Sequence, residues 1–114
     1  MQVTRASFLA LVAAGLAAPR AFGDIRDDLS VLSYMLTVEY VQAALYRDAL
    51  KRLPNLDPAT RGVLTALRDH EVEHVDARRA TIADAGARPN DRPRVQCGSE
   101  LESREGFLKL SNTL

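Results

Sequence analysis

Two long segments with helical periodicity, separated by only a few residues, constrain the fold of this 114-residue chain most strongly. The first runs from about Asp27 to Lys51. The second begins at Asp57-Pro58, an N-cap residue followed by a proline at the first helical position, and ends near Gly86. Because the link between them is short, the two helices are expected to lie side by side and antiparallel. The pattern predicts an all-α helical hairpin.

A shorter third helix is predicted after the hairpin. Residues 87–98 are rich in proline and turn-forming residues, which indicates a loop. Ser99 and Glu102 have the spacing of a capping box, so the third helix is expected to begin there and to continue through Phe107, Leu108 and Leu110.

The N-terminal residues have the pattern of a secretory leader. Arg5 precedes an uncharged apolar run at residues 6–18, which is shorter than the roughly 20 residues that span a bilayer. Small residues at positions 21 and 23 precede Asp24 and offer a cleavage site. The sequence therefore predicts a signal peptide at 1–23 and a mature domain at 24–114 that has no stable membrane span.

The export route is open between two pathways. The stretch TRASFL resembles the twin-arginine export signal, except that Ala6 stands where the second arginine belongs. Export through either the twin-arginine or the general secretory route would leave the mature protein in the periplasm, on the cell surface or secreted.

Charge and cysteine content exclude several classes of function. Lysine plus arginine and aspartate plus glutamate number 15 each, so the chain has no basic surplus for nucleic acid, and no such partner is expected. Cys97 is the single cysteine, which excludes an intrachain disulfide and a cysteine-rich zinc site.

A helical wheel places three metal-binding side-chain types between the two long helices. Glu39 falls among apolar residues of the first helix, and Glu71 and His74 fall within the apolar stripe of the second. Buried carboxylates are costly unless they are paired or bind a metal. These three residues are the candidate metal ligands.

The stretch DHEVEH, residues 69–74, also fits the zinc-peptidase motif His-Glu-x-x-His through His70 and His74. That motif needs a third ligand, and the chain has no third histidine. Glu73 places a charge at one of the two central positions, which such peptidases usually keep uncharged. The peptidase reading is therefore the less supported alternative.

Glu71-x-x-His74, with Glu39 on the partner helix, instead fits one half of a carboxylate-bridged di-metal site in a four-helix bundle. Carboxylates with one imidazole per metal suit iron or manganese. Here the mature chain resembles the exported ferritin-like domain proteins, a group that includes the desiccation-related proteins. The resemblance is carried by Thr37-Val38-Glu39-Tyr40 with Tyr46, and by His70-Glu71-x-x-His74-Val75.

The resemblance implies the N-terminal half of a ferritin-like four-helix bundle, with the start of a third helix. It also implies that Glu39 and His74 are terminal ligands and Glu71 a bridging ligand of a di-iron or di-manganese site. The ligands of the family's third and fourth helices have no counterpart here, so a second chain or a missing C-terminal half is expected to complete the site. A homodimer or higher homo-oligomer follows, with a precedent in the encapsulated ferritins.

Arg78 departs from the family, which usually has an aliphatic residue at that place in the stripe. It is expected to pair with Glu71 or Glu39, and such a pair would satisfy the carboxylates without metal. Further candidates, as residues around the ligands or as alternative ligands, are His70, Tyr46 and Arg78. Two functions stay open: a metal-binding protein with a ferroxidase or other redox or stress role, and a metal-free structural or stress-associated exported protein.

Overall fold

A computed structural model describes residues 25–114, so the predicted leader lies outside the described residues. The helices are α1 (Ile25–Arg52), α2 (Pro58–Asp84) and α3 (Arg104–Thr113), and a short 3-10 helix at Ser99–Glu102 precedes α3. The bounds of α1 and α2 agree with the predicted segments. None of the helices among the described residues is long and apolar enough to cross a membrane.

The start of α2 is fixed by Asp57, as predicted. Its carboxylate accepts hydrogen bonds from the backbone N–H of Thr60 at 2.8 Å and from the Thr60 hydroxyl at 2.9 Å. These two bonds lower the pKa of Asp57, because they stabilise its charged form. Pro58 follows as the first helical residue and needs no backbone donor there.

The end of α2 is a left-handed turn at Gly86, which has φ +83°. The N–H of Gly86 donates to the carbonyl of Ala83, and the N–H of Ala87 donates to that of Ile82. This pair of bonds satisfies carbonyls that the helix leaves without a partner, and glycine adopts the positive φ without a steric penalty.

The two long helices form the predicted antiparallel hairpin. Arg61 near the start of α2 donates to the carbonyl of Leu50 near the end of α1. Arg79, near the end of α2, donates to the hydroxyl of Tyr40 in the middle of α1. A later residue of α2 thus contacts an earlier residue of α1, which is the pattern of two antiparallel helices.

Two apolar clusters hold the hairpin together. The link-end core lies near the turn between α1 and α2 and includes α3; its buried residues are Leu45, Tyr46, Ala49, Leu53, Leu64, Leu101 and Phe107. The distal core lies toward the other end of the hairpin; its buried residues are Leu32, Leu36, Tyr40, Val75 and Ile82. Along the chain, Glu71 lies between Leu64 of the link-end core and Val75 of the distal core, whereas Glu39 lies between Leu36 and Tyr40 of the distal core.

The predicted cap at Ser99 is wrong. Ser99–Glu102 forms a 3-10 turn with no side-chain cap, and Ser103 caps α3 by accepting a hydrogen bond from the Gly106 N–H at 3.0 Å. The turn buries Leu101 completely in the link-end core. A Cβ at Gly106 would lie 2.7 Å from the Glu100 carbonyl oxygen, so only glycine allows α3 to pack this closely on the turn.

The loop after α2 returns along α1 and contacts two of its polar residues, Ser33 and Thr37. The Asn90 side chain donates to the Thr37 hydroxyl at 2.7 Å and to the Ser33 carbonyl at 3.3 Å. Arg52 at the end of α1 donates to the carbonyls of Cys97 and Gly98. Besides α2, this loop and α3 therefore also contact α1. A helix as apolar as α1 needs more than one neighbour to cover it.

Candidate functional site

Glu39 and Glu71 are both buried between α1 and α2, each with 4 % of its surface exposed. Each occupies a position where the helical stripe would otherwise be apolar. Their burial confirms the sequence prediction for these two residues. Burying a carboxylate costs several kcal/mol unless other groups compensate, so the partners of each one define the chemistry of the site.

Arg78 of α2 pairs with Glu39 of α1. Its Nη2 and Nε atoms lie 3.2 Å and 3.4 Å from Oε1 of Glu39, and the arginine side chain is 14 % exposed. The sequence left the partner of Arg78 open between two glutamates, and the structure places the ion pair on Glu39. Both donors contact the same oxygen atom.

The other carboxylate oxygen of Glu39, Oε2, is buried and has no hydrogen-bond partner among the described residues. Burial raises the pKa of Glu39 above its ordinary value of 4.5. The hydrogen bond and charge of Arg78, with a smaller contribution from His74, act in the opposite direction, and the negative charge of Glu71 adds to the increase. Glu39 is therefore incompletely compensated.

Glu71 has a weaker ionic neighbour. His74 lies one turn further along α2, with its Nδ1 atom 3.5 Å from Oε2 of Glu71. The imidazole is 45 % exposed, so it lies at the edge of the helix interface. The helical wheel had placed His74 inside the apolar stripe, and that prediction is wrong. An ion pair with an imidazole also exists only while the ring is protonated.

The remaining candidates are His70 and Tyr46. His70 is exposed on α2, and so is Glu73, the charged residue inside the peptidase motif. Tyr46 is buried in the link-end core and packs with apolar residues there. Among residues 25–114, no group of three or more histidine, cysteine or acidic side chains is arranged to hold a metal ion.

Sequence reasoning missed two features around the site. Gln42 is buried on α1, three residues after Glu39 and thus on the same face, a position that the wheel could have indicated. The hydroxyl of Tyr40 accepts a hydrogen bond from Arg79 at 2.6 Å and donates one to the Asn90 carbonyl at 3.3 Å. The latter contact joins a helix to a loop 50 residues away, and no local pattern predicts it.

The residues of the site fit a metal in their donor chemistry but not in their arrangement within one chain. Two buried carboxylates and an imidazole are donors that iron and manganese accept, and Glu39 Oε2 is a buried oxygen without a partner. However, Arg78 occupies the other oxygen of Glu39, and the three groups do not converge on one point.

A long antiparallel helix pair with buried carboxylates at its centre defines an all-α protein of the helical-bundle class. The ferritin-like domain family model matches residues 27–114. The chain therefore belongs to the ferritin-like domain family, which confirms the ferritin-like part of the resemblance read from the sequence. Neither a curated protein nor a solved structure matches the chain.

Proposed function

We propose that this chain is a ferritin-like metal-binding protein in which Glu39, Glu71 and His74 supply half of a di-iron or di-manganese site. A second copy of the chain supplies the other half. The observation that carries the proposal is the pair of buried glutamates at the centre of the helix interface, one of which keeps a buried oxygen without a partner. An unsatisfied buried charged oxygen is costly, and a metal ion would compensate it.

Three ligands are too few for two metals, and a two-fold axis doubles them. In a symmetric dimer each residue meets the same surface of its partner, so one Glu39, Glu71 and His74 set per chain gives six ligands. His74 lies at the exposed edge of the interface, where a second chain has access to it. In this arrangement Glu39, Glu71 and His74 of both chains would together hold the two metal ions.

The residues have distinct tasks in such a centre. Bound ferrous ions would supply the electrons for reduction of dioxygen, as in a ferroxidase. Glu39 and Glu71 would contribute negative charge that favours the oxidised, more positive ions, and their burial would limit access of water. Arg78 must release Glu39 before both oxygens of that carboxylate become available.

The second candidate function is a metal-free structural or stress-associated protein, and the Glu39–Arg78 ion pair favours it. In that case the guanidinium takes the place of the metal. The Glu39–Arg78 ion pair favours a protein without metal, whereas the unpartnered oxygen of Glu39 favours bound metal. Elemental analysis therefore separates the two functions.

The experiment measures iron, manganese and zinc per chain after anaerobic loading of the wild type, Glu71→Ala and Arg78→Leu. Glu73→Ala is the matched control, because Glu73 is an exposed acid on the same helix. Metal in the wild type that is lost in Glu71→Ala and kept in Glu73→Ala supports the proposal. If Arg78→Leu binds metal and the wild type does not, the site is closed by the arginine. If neither the wild type nor Arg78→Leu binds metal, the metal function is rejected.

His70→Ala separates this site from a zinc peptidase. The peptidase motif requires His70 as a ligand, whereas the site proposed here does not use it. We expect His70→Ala to keep its iron or manganese, and loss of a bound zinc ion in that variant would favour the peptidase.

We also propose that the protein is exported and that residues 1–23 are removed. The support is the leader pattern of the sequence. N-terminal sequencing of the protein from its native host should give Asp24 as the first residue. An intact Met1 in a cytoplasmic fraction would reject export.

A further inference from the structure

A small cleft of about 110 Å³ lies between α1, α2 and the loop that follows α2. Its floor is formed by a tyrosine and small or branched apolar residues from the two helices: Tyr40, Ala43, Ala44, Val72 and Val75. Three arginines also line it, and each comes from a different element: Arg47 from α1, Arg68 from α2 and Arg92 from the loop. None of the described residues that line the cleft is acidic.

The arginines are only partly neutralised by their own neighbours. Nε of Arg47 donates to Oδ1 of Asp48 at 2.8 Å, and Nη2 of Arg68 lies 2.9 Å from Oδ1 of Asp69. Both aspartates directly follow their arginines in the chain, and neither lines the cleft. Each aspartate compensates one guanidinium, so three arginines and two aspartates leave one net positive charge around the cleft.

Arg92 is held in place by a network that does not neutralise it. Its guanidinium carbon lies 5.4 Å from the centroid of the Tyr40 ring, a cation–π contact. The tyrosine hydroxyl is fixed by Arg79 and by the Asn90 carbonyl, and the Asn90 side chain is anchored to Thr37. The anchored loop thus places the Arg92 guanidinium over the Tyr40 ring, beside the cleft.

We propose that this cleft binds a phosphate group, either as the free ion or as a small phosphate monoester. Guanidinium groups bind phosphate oxygens through paired N–H donors, and three of them suit a dianion better than a single carboxylate. The cleft is smaller than the roughly 300 Å³ of ordinary ligand pockets, which excludes a nucleotide-sized ligand. Its apolar floor suits a short carbon substituent. The site is separate from the Glu39–Glu71 centre and does not depend on metal binding.

Isothermal titration calorimetry of the full chain tests the proposal with two probes, inorganic phosphate and phenyl phosphate. Titrations are made in chelator-treated buffer at constant ionic strength set by sodium chloride, so that neither metal nor general screening contributes. We expect one phosphate per chain. Arg92→Gln should weaken binding roughly tenfold or more, because it removes a charge-assisted contact.

Arg88→Gln is the matched control, since Arg88 is an exposed arginine of the same loop that does not line the cleft. It should bind phosphate as the wild type does. Arg47→Gln gives a second variant on a different element, and circular dichroism confirms that each variant is folded.

Tighter binding of phenyl phosphate than of inorganic phosphate supports a monoester ligand that uses the apolar floor. Equal or preferential binding of inorganic phosphate supports the free ion. The proposal is overturned if the wild type binds neither probe saturably, or if Arg92→Gln and Arg47→Gln both bind as tightly as the wild type.

Discussion

Two buried carboxylates at the centre of one helix interface have different partners. Glu39 of α1 is paired with the guanidinium of Arg78, whose side chain is 14 % exposed. Glu71 of α2 lies beside His74, an imidazole that is nearly half exposed and carries charge only when protonated. The two glutamates are equally buried, so they differ in the charged groups beside them and not in their exposure to solvent.

The difference bears on the metal site proposed above. On the α2 side the Glu-x-x-His pair is kept, with the imidazole where another chain has access to it. On the α1 side a fixed positive charge occupies one oxygen of the carboxylate and leaves the other without a partner. The Glu39 side is thus the more strained of the two, and substitutions there should have the larger effects.

Removal of Arg78 should produce the largest loss of stability. Arg78→Leu leaves Glu39 buried without its cation, and breaking a buried pair in this way costs about 3–5 kcal/mol. Urea denaturation of the metal-free variant at neutral pH measures the loss. Arg88→Leu, which removes an exposed loop arginine, should change the free energy of unfolding by less than about 0.5 kcal/mol.

The loss in Arg78→Leu should shrink at low pH. Without the guanidinium, the pKa of Glu39 rises further, since Arg78 is the main group that lowers it. Protonation then removes the buried charge that destabilises the variant. A loss of stability that is the same at acidic and neutral pH would show that Arg78 contributes through packing and not through the ion pair.

The second largest effect should be the pH dependence that Glu39 itself confers. Its pKa is raised in the folded state, so the native protein binds this proton more tightly than the unfolded chain does. The stability of the wild type relative to Glu39→Gln should therefore be greatest below pH 4.5 and should fall as pH rises through the higher, folded-state pKa. Denaturation curves of both proteins between acidic and neutral pH measure this difference. If the difference grew with pH, the pKa of Glu39 would be lowered and Arg78 would overcompensate the burial.

The smallest effect should come from the imidazole on the other side. His74→Ala removes a half-exposed partner of Glu71 at 3.5 Å, and exposed ion pairs contribute up to about 1 kcal/mol. We expect a loss of stability within that limit in metal-free protein. A loss as large as that of Arg78→Leu would remove the contrast between the two glutamates.

Local patterns in the sequence predicted most of the hairpin. Asp57-Pro58 and Gly86 mark the ends of α2 through caps that involve only neighbouring residues, and the helical period predicted the burial of Glu39 and Glu71. The wheel failed at His74, because an angle on one helix does not say how far the partner helix covers its edge.

Contacts between distant segments were beyond such patterns. Ser99 has the capping-box spacing, but packing of Leu101 into the link-end core makes that stretch a 3-10 turn and moves the cap to Ser103. Asn90 and Arg92 lie in a loop that has no period, so nothing in the sequence predicts that they dock on α1.

The central claim is that Glu39, Glu71 and His74 form half of a metal site that a second copy completes. Sedimentation equilibrium of the purified chain, with chelator and with manganese, tests it most directly for the wild type and for Arg78→Leu. Because the metal binds only the assembled state, manganese should shift the protein from monomer to dimer by mass action, with two metals per dimer. Glu71→Ala should abolish the shift, and Glu73→Ala should not. If manganese leaves the monomer–dimer distribution of both the wild type and Arg78→Leu unchanged, the claim is contradicted.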